Sequence, residues 1–324
     1  MRMFLIVLLS LLATAGAADA GPTAQMRLGL VKFGAMAWEI ETMRRQMAAE
    51  RGDLGLEIVD LANPAAGEVA LQAGRVDAIM TDWLWIARQR YAGQKLTFVP
   101  HNALLGDLLV PPDSPARSLA DLEGKRIGVA GGPLDKSWLL LRAYSLRQFG
   151  HDVGARAQPV FAAPPLLSQE IAAGRLDAVL TFWPYAARLS LQGYRSLLAL
   201  SDVMAGLGVG EPAPMLGFGL SEGWIAAHPG ALPGFLAALR RADAELALSD
   251  QTWQSLRPLT GAESDAVLVA LRDRFRQGLV EHWSEGDLDK AATLLAVLSK
   301  TAGAELTGGA VTLPAGTFWR GAAP

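Results

Sequence analysis

The chain contains no cysteine. That absence excludes disulfides, thiolate metal sites and cysteine nucleophiles, and it leaves no thiol to carry the lipid of a bacterial lipoprotein. Histidine is scarce: His101, His151, His228 and His282 stand far apart and show no ligand spacing. There is no G-x-S-x-G nucleophile elbow, no H-E-x-x-H zinc helix and no G-x-x-x-x-G-K phosphate loop. Nor is there a basic excess. The 29 Lys and Arg against 32 Asp and Glu leave a formal net charge of -3, which argues against a nucleic-acid binder. No apolar run has the length of an ordinary transmembrane helix.

What is present begins at the N-terminus. Arg2 is followed by the apolar run Phe4 to Leu12 and by Ala18-Asp19-Ala20, an A-x-A cleavage site. Residues 1–20 therefore read as a signal peptide cut after Ala20, and export to a bacterial periplasm is expected. The remainder, roughly 300 residues, suggests two domains or lobes.

An internal repeat is the most informative feature. Ala73-Gly74-Arg75-Val76-Asp77-Ala78-Ile79-Met80-Thr81-Asp82-Trp83 returns 100 residues later as Ala173-Gly174-Arg175-Leu176-Asp177-Ala178-Val179-Leu180-Thr181-Phe182-Trp183. Upstream, Arg27-Leu28-Gly29-Leu30 is echoed at an offset of 99 by Arg126-Ile127-Gly128-Val129. A solenoid repeats every 20 to 50 residues, so this period is domain-sized. Each copy reads strand, helix, strand, helix, strand, helix, which predicts α/β lobes with mainly parallel sheets flanked by helices. Ligands of such sheets sit outside the carboxyl ends of the strands.

Four strand ends then supply the candidate site residues. In the first, Lys32 is a ligand contact or a solvated edge charge. Phe33 belongs to the same turn, Trp38 stacks on a ligand or sits in the core, and Glu39 offers a hydrogen-bond acceptor. In the second, Thr81, Asp82 and Trp83 follow a buried strand, with Asp82 a ligand contact or a plain helix cap. Asp82→Ala and Trp83→Ala are expected to weaken ligand binding without unfolding the chain. In the third, Gly131-Gly132-Pro133 lets backbone approach a ligand, with Asp135 and Lys136 opening the next helix. The alternative there is a tight turn capped by Asp135. In the fourth, Thr181, Phe182 and Trp183 are the twins of the second set. Tryptophans 38, 83, 138 and 183 beside Glu39, Asp82 and Asp135 suit a cation, an aromatic heterocycle or a metal chelate better than an oxyanion, which favours Arg, Lys and N–H groups.

Several stretches together resemble the periplasmic binding proteins of nitrate, taurine and aliphatic-sulfonate importers. They are Ser118-Leu119-Ala120-Asp121-Leu122-Glu123-Gly124-Lys125-Arg126-Ile127-Gly128-Val129, then Leu176-Asp177-Ala178-Val179 with Pro184-Tyr185-Ala186-Ala187, then His228-Pro229-Gly230 ahead of Phe235-Leu236-Ala237-Ala238-Leu239. The resemblance implies a two-lobed type II periplasmic-binding-protein fold. On that fold 21–108 and 213–307 form the first lobe, 109–212 the second and 308–324 a loose tail. Chain crossings are expected near Gly106 to Pro112 and near Pro212 to Gly219. It also implies a protein that hands a small-molecule ligand, by default a sulfonate or nitrate, to an ABC importer permease; a monomer without a cofactor is expected. One departure is local: Phe182-Trp183-Pro184-Tyr185 stands where the family often has Trp-Glu-Pro-Tyr.

Two alternatives stay open. One is a sensory binding protein that reports to a receptor. The other is an enzyme on the same fold, as in porphobilinogen deaminase and thiamine-pyrimidine synthase, whose cysteine or histidine chemistry finds no counterpart in this sequence.

Overall fold

A computed structural model of the chain describes residues 26–50, 55–210, 213 and 215–321. The expected signal peptide, 1–20, lies outside the described residues. In chain order the first copy comprises β1 (Met26–Val31), α1 (Met36–Ala49), β2 (Leu56–Leu61), α2 (Pro64–Gln72), β3 (Ala78–Thr81), α3 (Trp83–Tyr91) and β4 (Leu96–Asn102). The second comprises β5 (Asp107–Val110), β6 (Arg126–Ala130), α4 (Lys136–Phe149), α5 (Val153–Arg156), β7 (Gln158–Ala162), α6 (Pro164–Ala172), β8 (Ala178–Thr181), α7 (Trp183–Leu191), β9 (Arg195–Ala199) and α8 (Leu200–Gly206). The chain then returns through β10 (Leu216–Ser221) to α9 (Glu222–Ala227), α10 (Ala231–Leu248), α11 (Asp250–Thr260), α12 (Asp265–Gly278) and α13 (Glu285–Thr307). The result is two five-stranded sheets, ordered β2-β1-β3-β10-β4 and β7-β6-β8-β5-β9. Each is mixed: β10 runs antiparallel to β3 and β4, and β5 antiparallel to β8 and β9. Each reversed strand is the one that carries the chain from one sheet into the other.

The repeat has a physical cause in each sheet. Arg27 opens β1, and its backbone N–H and guanidinium both donate to Asp77, at 2.8 and 2.7 Å. Arg126 opens β6 and does the same to Asp177, at 2.8 and 3.0 Å. In return the Asp77 and Asp177 N–H groups donate to the Arg27 and Arg126 carbonyls. This paired clamp sets the parallel register, Leu28 opposite Ala78 and Ile127 opposite Ala178. The strand glycines are also matched. A Cβ on Gly29 would lie 2.7 Å from Leu61, and one on Gly128 2.6 Å from Leu176, so both places are closed by side chains packed on the sheet.

The first crossing runs between Asn102 and Asp107, so the sheet changes slightly before the expected boundary at 108. Gly106 sits there because nothing larger fits: an added Cβ would lie 1.8 Å from the backbone oxygen of Thr181. Gly106→Ala is therefore expected to cost about 3 kcal/mol or more, since the obstacle is backbone and cannot swing aside. Urea unfolding followed by circular dichroism measures it.

The C-terminal helices touch both sheets' helices. α10 and α11 pack on α1; α12 packs on α7 of the second lobe as well as on α10 and α11, and α13 on α4 of the second lobe as well as on α3 of the first. The stretch expected to be a loose tail is also bound. Thr317 accepts a hydrogen bond from the Phe98 N–H at 2.7 Å, and the Trp319 N–H donates back to Phe98 at 2.9 Å. Ala310 and Phe318 are buried, and the Phe318 ring meets those of Phe98 and Trp83. The tail thus covers the open edge of β4, which would otherwise be free to pair with another chain. Among the described residues no helix is long and apolar enough to cross a membrane.

Candidate functional site

The carboxyl ends of β1, β2 and β3 face those of β6, β7 and β8 across a cavity of about 560 Å³. Six helix starts line it, those of α1, α2, α3, α4, α6 and α7. In most binding folds such starts are anion sites, because their first N–H groups lack partners. At five of the six starts, at least one of those donors is used or missing. Asn63 accepts from the Ala66 N–H, Asp82 from Trp85 and Asp135 from Ser137, at 2.8, 2.8 and 2.9 Å. α6 opens with Pro164-Pro165, and α7 carries Pro184 in its first turn, and proline has no N–H to give. At the Gly131-Gly132-Pro133 loop the place of a bound anion is taken by Asp135 itself, whose carboxylate would lie 2.9 Å from a Cβ on Gly131. Gly131 has φ +95°, so this fold-back depends on glycine.

The charges lining the cavity are Glu39, Glu68, Asp82 and Asp135 against one cation, Lys136. Glu68 is pushed up to about 7, first by burial and then by the neighbouring Asp82 charge. Burial also raises Asp135, with Lys136 opposing. Glu39 is pushed up to about 8 by burial. Behind it, His101 Nε2 is hydrogen-bonded to Glu39, and Asp243 is pushed up to about 8 by burial and by Glu39. Burial lowers His101. The apolar part of the wall holds five rings, Phe33, Phe161, Phe182, Trp183 and Phe275, among aliphatic side chains that include Leu30, Met36, Met80, Leu104 and Leu105. The Lys136 ammonium stands 5.7 Å from the centre of the Phe182 ring.

Of the residues expected from the sequence, Phe33, Glu39, Thr81, Asp82, Gly132, Asp135, Lys136, Phe182 and Trp183 lie in this wall. Lys32, Trp38, Trp83 and Thr181 do not. Lys32 makes an exposed ion pair with Asp60 at 3.3 Å, beyond the strand end. Trp38 is buried under α1, edge-to-face with Trp183 at 5.6 Å and with Trp253 at 5.7 Å. Trp83 is fully buried in the core. Its replacement by alanine would leave a core cavity, so the expectation of weaker binding in an intact fold is withdrawn for Trp83 and kept for Asp82. Thr181 is buried at the end of β8 beneath the first crossing. Trp138 is buried too, against Phe161. Helical geometry explains these losses. Successive side chains in a helix's first turn point in directions about 100° apart, so only some of them face the cleft, and being near a strand end does not place a residue there.

Glu68, Phe161 and Phe275 were not foreseen. The rule that pointed to the other strand ends applies equally after β2 and β7, and would have found Glu68 one turn past the Asn63 cap and Phe161 at its strand's end. Phe275 comes from α12, far along the chain, and carries no local signal.

Comparison with known proteins places this geometry. In solved structures the chain is similar to the alkanesulfonate-binding protein SsuA of Xanthomonas axonopodis pv. citri bound to MOPS, at TM-score 0.71 and 21% identity over 92% of this chain and 98% of that one. It is similar to the periplasmic aliphatic sulphonate-binding protein SsuA of Escherichia coli, at TM-score 0.70 and 20% identity over 93% of each chain. The periplasmic nitrate-binding protein NrtA of Synechocystis PCC 6803 shares the fold at TM-score 0.58 and 13% identity, over 78% of this chain and 69% of that one. These likenesses establish the two-lobed periplasmic-binding-protein architecture. A comparison with curated protein sequences returns no match. The profile of the NMT1/THI5-like proteins aligns with residues 50–251, which is more than half of the chain and spans both sheets; on fold and sequence together, the chain belongs to the NMT1/THI5-like family.

Proposed function

We infer that this is an exported solute-binding protein that captures a small molecule between its two sheets and delivers it to the permease of an ABC importer, without catalysis. The observation that carries the reading is a large cavity whose wall is drawn from matching strand ends of both sheets. A ligand held there touches both lobes and so stabilises the closed arrangement, which is the form a permease reads. Capture needs only complementarity of shape and charge. It works with one copy of the chain.

The ligand class follows from the wall. The carboxyls of Glu68, Asp82 and Asp135 against one ammonium, with five aromatic rings in the wall, suit a small organic cation with a flat or apolar body. They do not suit the sulfonates and nitrate bound by the proteins of like fold, which need free N–H donors and cations. A thermal-shift panel separates the two. Organic amines, polyamines and aminopyrimidines are expected to raise the melting temperature, because a ligand at 100 times its dissociation constant adds about 2.7 kcal/mol. A response confined to sulfonates or nitrate would contradict the cation reading and leave the binding role intact.

Glu68 makes the affinity depend on pH. Its carboxyl is raised above the usual range to about 7, with Asp82 and Asp135 adding to the shift and Arg88 and Lys136 opposing it. The folded, empty protein therefore prefers Glu68 protonated, and this contribution to stability is lost as pH rises through about 7. A cation prefers the ionised form. Affinity is expected to rise several-fold between about pH 6 and about pH 8, with a proton released on binding. Titration calorimetry at the two pH values checks it; an affinity that is flat or falls would count against Glu68 as a contact.

A further inference from the structure

Three titratable side chains meet behind the cavity wall, in the first lobe. Glu39 comes from the first turn of α1, His101 from β4 and Asp243 from the middle of α10. One ligand atom from each lies within 4.8 Å of the other two. Glu39 is 1% exposed and His101 9%. His101 Nε2 is hydrogen-bonded to a Glu39 oxygen. Asp243 Oδ1 is buried with no hydrogen-bond partner among the described residues. Among the described residues, the charged groups that act on these three are one another.

Burying the Glu39 carboxyl and the His101 imidazole against half-buried Asp243 without a cation is an expensive use of space. A core of this size is more stable with apolar residues there unless something neutralises the acids. We propose that Glu39, His101 and Asp243 are the ligands of one first-row divalent metal ion of the zinc class.

The chemistry fits such an ion. Two carboxylates cancel a double charge, and the imidazole supplies the nitrogen that first-row ions favour over magnesium or calcium. Tetrahedral bonds of about 2.0–2.2 Å put ligand atoms about 3.4 Å apart, so an ion would take the place of the His101–Glu39 hydrogen bond, parting those two atoms and drawing in Asp243, whose ligand atom already lies within 4.8 Å of both. The His101 ring is held against Phe218, at 5.5 Å between centres, which limits its rotation. The unpartnered Asp243 oxygen gains a bond. Glu39 belongs both to this triad and to the cavity wall, which gives an ion its way in. This site is separate from the acidic cluster of Glu68, Asp82 and Asp135, and stands or falls apart from the identity of the cavity's ligand.

The test titrates the full mature chain, freed of metal by a chelator, with Co2+ and then with Zn2+. The expected result is one equivalent of Co2+ giving the visible absorption of a four- or five-coordinate nitrogen and oxygen site, displaced by Zn2+. His101→Gln and Asp243→Asn are expected to weaken Zn2+ binding by about 100-fold, with circular dichroism showing whether each folds. A second variant decides the matter even if those two do not fold. Replacing His151, His228 and His282 together by Gln leaves His101 as the one histidine, and it is expected to keep the full Co2+ spectrum. No visible band in the wild type would overturn the proposal, as would its loss in the triple variant or its survival in folded His101→Gln.

Discussion

Trp38→Ala is expected to lower the unfolding free energy by about 3–5 kcal/mol, the range for deleting a buried tryptophan. Trp38 is the hub of a ring cluster drawn from four helices. It meets Trp183 of α7 at 5.6 Å and 89°, and Trp253 of α11 at 5.7 Å and 74°. Trp253 in turn meets Phe275 of α12 at 5.3 Å, and its indole N–H donates to the Leu246 carbonyl at 2.8 Å. Edge-to-face pairs of this kind are worth about 0.5–1.5 kcal/mol beyond the area they bury. Trp38 stands on the first lobe and Trp183 on the second, so the same substitution also loosens the contact between lobes. Chemical denaturation of the ligand-free protein measures the stability effect. A loss under about 1 kcal/mol would mean that the cluster repacks around the gap.

Asp82→Asn and Asp135→Asn are each expected to weaken binding of a cationic ligand by about 10–100-fold while changing stability by less than about 1 kcal/mol. Both residues begin helices, and asparagine caps as well as aspartate does. The substitution therefore keeps the bonds to the Trp85 and Ser137 N–H groups and removes only charge. A hydrogen bond to a charged group contributes about 1.5–3 kcal/mol, which sets the expected range. The two carboxylates reach the cavity from opposite lobes, so the double variant is expected to lose more than either one and to bind without favouring closure. Calorimetric titration beside a melting curve separates the two effects. Wild-type affinity in both single variants would exclude these carboxylates from the site. Asp82→Ala is the useful contrast, since it gives up the cap as well and is expected to cost about 1 kcal/mol of stability.

Much of this architecture was readable from the repeat, because the repeat is a folding constraint written twice. Arg27 with Asp77 and Arg126 with Asp177 set the same strand register in each sheet, and Gly29 and Gly128 admit the same close packing. What lacked a copy was hidden. The attachment of α12 and α13 to the second lobe rests on side chains far apart in sequence, and so does the tail's pairing with Phe98. Of the polar residues at strand ends, Asp82, Asp135 and Lys136 reach the cavity wall, while Lys32 and Thr181 do not. Aromatic residues were read less well. Trp38, Trp83 and Trp138 satisfy the same local pattern as Trp183, yet they turn inward, and the rings that do line the wall include Phe161 and Phe275. The sign of the wall's charge survives that exchange, and so does its aromatic character. The contacts behind the wall were beyond local reading: His101 and Asp243 are 142 residues apart and meet only once α10 packs on α1.

The measurement that tests the central claim most directly is mass spectrometry of the protein under non-denaturing conditions, purified from the cells that make it and with its ligand still bound. The account predicts one equivalent of a small basic molecule, positively charged near neutral pH and compact enough for a cavity of about 560 Å³. A sulfonate, nitrate or any other anion in that place would contradict it.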